Sequence, residues 1–122
     1  MKNENMKKEV LECVANPDVN RRYTIEFETS EFTALYEKTG QPIFAHIAIL
    51  YVPDKKCLEQ MSLKQYLGSF RSARVYYEEV VNRMVDDLVG ACNPVALKVT
   101  GRFAVRGGIT TVVIVRHGEE GL

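Results

Sequence analysis

Between Glu59 and Glu79 the segment EQMSLKQYLGSFRSARVYYEE gathers cations, aromatic rings and carboxylates in one short run. Lys64 and Arg71 stand seven residues apart. On a helix that is about two turns, so both would project from the same face. Tyr76 and Tyr77 follow and lead into Glu78 and Glu79. Such a set suits a flat, polar ligand with an anionic tail: rings stack, a carboxylate accepts from ring N–H groups, and a cation meets the tail. The same residues also fit a solvated helix surface. A further basic point is Arg106, followed by Gly107 and Gly108. Two glycines let a phosphate approach the backbone closely, and they equally make a plain hairpin turn.

Other chemistries find less material. The three cysteines, Cys13, Cys57 and Cys92, are odd in number and show no CxxC spacing, which reads as free thiols in a reducing, cytoplasmic setting. The two histidines, His46 and His117, form no ligand-spaced cluster, so no metal site is expected. No Ser-His-Asp arrangement emerges from the spacing. Cys92 falls on an apolar helical stripe and is most simply core packing.

The elements that must position these residues follow from periodicity. Ser62 and Gln65 have capping-box spacing before Leu63, Leu67 and Phe70, so a helical region is expected from Ser62 to about Cys92, broken near Gly68 to Arg74. Its second part places Val81, Met84, Val85, Leu88, Val89 and Cys92 on one stripe, and Asn93-Pro94 ends it. Alternation makes Arg22–Glu28 a strand with Tyr23, Ile25 and Phe27 on one face. Ile43–Val52, Val95–Val105 and Ile109–Arg116 are further strands. The order ββααββ predicts an α+β fold: an antiparallel four-stranded sheet with two helices on one face. The strands Ile43–Val52 and Ile109–Arg116 are apolar on both sides, and one helical layer covers only one of them. The other face and the sheet edges therefore call for another copy of the chain.

With 122 residues, 46% hydrophobic and 26% charged, the chain fits one domain. We divide it into a polar lead-in (1–20), a domain (21–116) and a polar tail expected to fray (117–122). Lysine plus arginine balance aspartate plus glutamate at 16 each, which gives no basic field for direct nucleic-acid binding. No apolar run approaches a bilayer span, and the start MKNENMKKE does not read as a signal peptide.

The stretches EFTALYEKTGQP, EQMSLKQYLGSFR, YYEE and GRFAVRGGI resemble the QueF family, the NADPH-dependent 7-cyano-7-deazaguanine reductases of queuosine biosynthesis. The similarity runs from about Glu12 to Thr111. It implies the tunnelling fold (T-fold), whose ββααββ units join into ring-like homo-oligomers, with a guanine-like base bound between subunits. It implies that Glu78 anchors the base and that Glu59 opens the family's Glu-Ser-Lys-Ser-Leu-Lys motif, here Glu59-Gln60-Met61-Ser62-Leu63-Lys64. Of that motif's two lysines, implicated in holding the NADPH phosphates, Lys64 remains and the other is Met61. Arg106, beside Gly107, matches the arginine of the family's Arg-Gly-Gly turn.

The reaction centre departs from the family pattern. The nucleophilic cysteine that forms a thioimide with the nitrile is Tyr36, the proton-shuttling aspartate is Ile43, and the histidine before the anchor glutamate is Tyr77. A phenol with a pKa of about 10 is a poorer nucleophile than a thiol, and bulkier. The expectation is a protein that binds a purine-like or deazaguanine-like base through Glu78, Glu59, Tyr77 and Tyr36, with the nitrile-reducing chemistry lost or altered. Two alternatives stand beside it: a reductase using Cys57 or Cys13 as a displaced nucleophile, and an enzyme of another pterin or purine with Tyr36 or Tyr77 as an acid.

Overall fold

A computed structural model of the chain describes residues 8–122. After a 3-10 turn at Lys8–Val10 come β1 (Cys13–Ala15), β2 (Ile25–Tyr36), β3 (Pro42–Val52), β4 (Lys56–Leu58), α1 (Gln60–Gly68), β5 (Arg74–Val75), α2 (Tyr77–Cys92), β6 (Ala96–Arg106) and β7 (Ile109–Gly118). The class is α+β; with the short β1, β4 and β5 the order is ββββαβαββ rather than ββααββ. The sheet differs in one respect: it has five strands, ordered β5-β2-β3-β6-β7. The fifth is the two-residue β5, which pairs parallel to the end of β2 through Leu35–Arg74 and Tyr36–Val75. Two paired residues carry no periodicity, so the sequence shows no sign of this strand.

Strand β2 also runs well past Glu28. A register shift between Thr29 and Phe32 inserts a bulge, and the inward parity changes there. Phe27 points to the helices before the bulge, and Phe32 and Ala34, both buried, after it. That switch ends the regular alternation in the sequence, and it brings Tyr36 to the helix side.

Beneath the helices lie Ile43, Ala45, Ile47, Ile49 and Tyr51 of β3 with Leu97, Val99 and Phe103 of β6. Val81, Met84, Val85, Leu88 and Cys92 of α2 cover them, each large aliphatic side chain adding about 1.5–3 kcal/mol on burial. Gly101 marks the closest approach: a Cβ there would stand 2.9 Å from Val81 and 3.0 Å from Phe103. A buried bond ties the helices together, with Tyr66 donating to Asp87 at 2.5 Å and Arg83 donating to the same oxygen at 3.1 Å. α2 stops at Asn93, which adopts φ 46° and donates to Val89, as Asn93-Pro94 implied.

One further expectation is corrected. Glu59, not Ser62, caps α1: its carboxylate accepts from the N–H groups of Met61 (2.7 Å) and Ser62 (2.8 Å). Ser62 lies inside the first turn, where its hydroxyl accepts from Glu12 N–H at 2.9 Å. That bond and the β1–β4 ribbon fasten the described part of the lead-in; residues 1–7 of it lie outside the described residues. β7 reaches Gly118, Glu119 N–H donates to Val95, and Arg22 pairs with the Glu119 carboxylate at 3.1 Å.

The outer sheet face carries Phe44 (56% exposed), Val112 and Ile114 uncovered. Among the described residues no helix is long and apolar enough to cross a membrane.

Candidate functional site

Where β2, β3, β6 and β7 turn at one end of the sheet, the start of α2 closes over a cleft of about 500 Å³. Its lining includes Tyr36, Tyr76, Tyr77, Glu78, Arg106 and Thr111. The strand bulge brings Tyr36 there, and α2 brings Tyr77 and Glu78 in its first turn, where a carboxylate also complements the helix dipole. Glu79 caps the same turn by accepting from Tyr76 N–H at 3.3 Å. The tyrosines form a continuous aromatic wall. Tyr36 meets Tyr76 edge-on at 5.7 Å and Tyr77 at 5.6 Å, and Tyr77 stacks on Phe103 at 4.2 Å.

Two arginines fix the loop after Tyr36. Arg74 donates from Nε and Nη2 to the Glu37 carbonyl at 3.3 and 2.9 Å. Arg106 donates to Gln41 Oε1 at 3.3 Å and to the Pro42 carbonyl. Between them Gly40 holds φ 74°, and a Cβ there would press on the Arg74 guanidinium at 3.3 Å.

The structure thus brings Tyr36, Tyr77, Glu78 and Arg106 into one cleft. It separates the others. Lys64 lines a second cleft of about 350 Å³ between β2 and α1, with Arg71 and an apolar floor of Phe27, Phe32 and Leu63. Glu59 lines neither of these clefts: it is engaged as the α1 cap, and the two backbone N–H bonds lower its carboxyl pKa. Ile43 is 2% exposed within the core. Gly107 shapes the β6–β7 turn with φ 58°.

None of the cysteines lines the Glu78 cleft. Cys13 and Cys57 belong to the β1–β4 ribbon. Burial raises the Cys13 pKa against a weaker lowering by Lys56, and its thiol donates to the Ala91 carbonyl at 3.2 Å. Burial, with the neighbouring Cys13 and Cys57, pushes Cys92 up to about 12. Among the described residues no group of three His, Cys, Asp or Glu side chains could hold a metal ion.

One constellation is invisible in the sequence. On the outer face, His46 contacts Ser30 Oγ through Nδ1 at 3.1 Å and Glu28 through Nε2 at 2.8 Å. Ser30 lies in the bulge and Glu28 just before it, and no sequence spacing announces that His46 lies beside them. Neither Ser30 nor His46 lines the Glu78 cleft or the Lys64 cleft.

Comparison with known proteins decides the family. The model of the QueF-like protein family matches residues 42–121. The chain belongs to the QueF family. Among QueF relatives, the NADPH-dependent 7-cyano-7-deazaguanine reductase of Magnetococcus marinus is 49% identical over 111 residues, 91% of this chain and 87% of the relative. The reductase of the same name from Chlorobium phaeovibrioides is 47% identical over 116 residues, 95% of this chain and all of the relative. The crystal structure of the archaeosine synthase QueF-Like in the apo form superposes with a TM-score of 0.74, at 18% identity, over 80% of this chain and 96% of that one. At that identity the likeness shows the QueF fold alone.

Proposed function

We propose that this QueF-family chain binds a 7-deazaguanine or purine-type base at a subunit interface, and that the thioimide chemistry of nitrile reduction is lost. The observation that carries this reading is the shared cleft: Glu78 stands with Tyr36 and Tyr77 at positions the family gives to its anchor, its nucleophile and its histidine. Glu78 accepts from a ring N–H and an exocyclic amine, each charge-assisted bond contributing about 1.5–3 kcal/mol. The tyrosine wall stacks on the flat ring.

No thiol stands in that cleft to attack a nitrile, and Ile43, buried in the core, offers no proton. The displaced-cysteine alternative loses support, because Cys13 and Cys57 sit on the ribbon of β1 and β4. The enzyme of another pterin or purine keeps one favourable observation: the cleft retains phenol hydroxyls beside Glu78.

NADPH, if retained, would meet Lys64 rather than Arg106 within one protomer. Self-association resolves that separation. Among the described residues β2 has no partner on its outer edge along Ile25–Ala34, where only β3 pairs with it, and β7 has none on its outer side. The Lys64 cleft borders β2 and the Glu78 cleft borders β7, both on the helix side. Pairing β7 of one copy with β2 of the next would set the clefts against each other, and repetition would close a ring. Charge favours that order: Glu26 and Glu28 lie on the outer face of β2, Lys98, Arg102 and Arg116 on β6 and β7. Three free thiols support a reducing, cytoplasmic setting.

The test is calorimetric titration with 7-cyano-7-deazaguanine, with NADPH absorbance followed in parallel. Binding heat without NADPH oxidation is the expected result, and Glu78→Ala removes the heat while leaving assembly intact. NADPH oxidation by the native chain overturns the loss of chemistry; undiminished affinity in Glu78→Ala overturns the anchor.

A further inference from the structure

Arg106 shares its cleft with Glu78 and not with Lys64, which bears on what kind of ligand the cleft accepts. Arg21, Arg22, Arg74 and Arg83 each have a carboxylate within ion-pair distance. Arg106 has none among the described residues; its bonds go to two neutral acceptors, Gln41 Oε1 and the Pro42 carbonyl. Those bonds hold the guanidinium at the cleft wall without cancelling its charge. A guanidinium fixed in this way is a preorganised anion receptor, since its remaining N–H groups and its full charge stay available. Glu78, in the same cleft, requires the opposite: a ligand edge made of donors. Thr39, Gln41 and Thr111 line the space with neutral polar groups.

We propose that the cleft takes a guanine-type base that carries an anionic group, and that Arg106 selects for that charge. In such a ligand the donor edge of the six-membered ring and a substituent on the five-membered ring lie at opposite ends. Glu78 reads the first and Arg106 the second, so the two like-signed groups, the Glu78 carboxylate and the ligand anion, stay apart. The anion is either a carboxylate on the ring or a phosphate beyond a ribose; both are planar or tetrahedral oxyanions that a guanidinium binds through paired N–H groups. The inference rests on the base-binding reading of Glu78, and it assigns Arg106 to the ligand rather than to a cofactor phosphate.

The experiment is calorimetry on the full chain with two matched pairs of probes, 7-carboxy- against 7-cyano-7-deazaguanine and guanosine 5′-monophosphate against guanosine. One anionic probe binds about tenfold more tightly than its neutral counterpart, a step of about 1.4 kcal/mol. Raised salt narrows the gap. The pair that shows it identifies the anion as carboxylate or phosphate. Arg106→Gln lowers the anionic probe's affinity more than the neutral probe's and so closes the gap between them, and Arg106→Lys retains most of it. Equal affinity within both pairs, or an Arg106→Gln variant that weakens neutral and anionic probes alike, overturns the assignment. A Glu78→Ala variant that binds every probe normally sinks the base reading instead, and binding of no probe at all sinks both.

Discussion

Tyr77 lies almost flat on Phe103, with ring centroids 4.2 Å apart and planes inclined by 19°. The residue standing where the family has a histidine is therefore half a core residue: one face packs on β6 and the other borders Tyr36 in the cleft. Loss of the ring should cost stability as well as binding. Tyr77→Ala is expected to destabilise the fold by about 2 kcal/mol, less than the ~3–5 kcal/mol of a fully buried aromatic. Tyr77→Phe, which keeps the stack, should unfold within about 0.5 kcal/mol of the native chain, the range of a substitution that disturbs no buried partner. Urea titration of the three proteins checks both values.

Ile43 shows what an aspartate would meet at that point of β3. It is 2% exposed, among the apolar side chains that the helices cover. An aspartate there would be desolvated, with its pKa raised above the unfolded value of about 3.9. The sign follows: the native state holds the proton more tightly than the unfolded one, so stability falls as pH rises above about 4. Ile43→Asp should therefore unfold at a lower denaturant concentration at pH 8 than at pH 5. An equal midpoint at both would mean that the site admits water.

Much of the fold was legible because its long elements are periodic. The α2 stripe from Val81 to Cys92, its stop at Asn93 and the inner face of β3 all match the pattern of apolar residues. The misses have local causes. The bulge at Ser30–Glu31 reverses parity in β2, which breaks the alternation visible at Tyr23, Ile25 and Phe27. The ribbon joins Cys13–Ala15 to Lys56–Leu58, and three-residue strands distant in sequence leave no periodic trace. At the site, the likeness of YYEE and GRFAVRGGI to family motifs pointed to Glu78 and Arg106, which do share a cleft. It gave no means to see that Lys64 opens on another, because cleft membership depends on which edge of the sheet a helix borders.

Gly101 tests how tightly α2 is seated. The nearest atoms to an added Cβ are Val81 Cγ2 and the Phe103 ring edge, both in the core and neither free to swing into solvent. Gly101→Ala should force α2 outward and cost about 1–3 kcal/mol, the usual penalty of overpacking. Since Phe103 carries Tyr77, the same change should weaken base binding. Thermal unfolding and calorimetry on one preparation measure both.

Alkaline pH should loosen the fold before acid chemistry is relevant to the cleft. Burial pushes Cys92 up to about 12 and raises the Tyr66 and Tyr51 hydroxyls, Tyr66 also through its bond to Asp87. An unfolded cysteine ionises near pH 8.5 and a tyrosine near 10, so the unfolded chain loses protons that the native chain retains. Stability is then full below about pH 8.5 and declines as pH rises toward 12. Cys92→Ala removes the thiol's share of that decline between about pH 8.5 and 10. Denaturant midpoints at pH 7, 9 and 10 check the slope. A native chain as stable at pH 10 as at pH 7 would show that these groups ionise in place.

Tyr36 offers the most direct chemical test of the cleft. It ends β2 on the helix side, edge-on to Tyr76 and beside Tyr77, in the cleft that Glu78 borders. A thiol at this point, near a base held by Glu78, would face the ring substituent. In Tyr36→Cys, treated with 7-cyano-7-deazaguanine and no NADPH, the thiolate sulfur should add to the nitrile carbon. One carbon–nitrogen π bond is replaced by a carbon–sulfur bond, and the nitrogen takes its proton from water, since Ile43 supplies none. Nothing leaves, so the intact mass should rise by the whole ligand. The native chain should show no adduct, and Tyr36→Cys combined with Glu78→Ala should show none either, because the base is no longer held. Removal of the phenol ring also takes away part of the aromatic wall, so ligand affinity in Tyr36→Cys should fall, and calorimetry on the variant measures the binding that Glu78 and Tyr77 retain. If the ligand still binds Tyr36→Cys and no adduct forms, the nitrile does not point at residue 36, and the base sits in the cleft in another orientation.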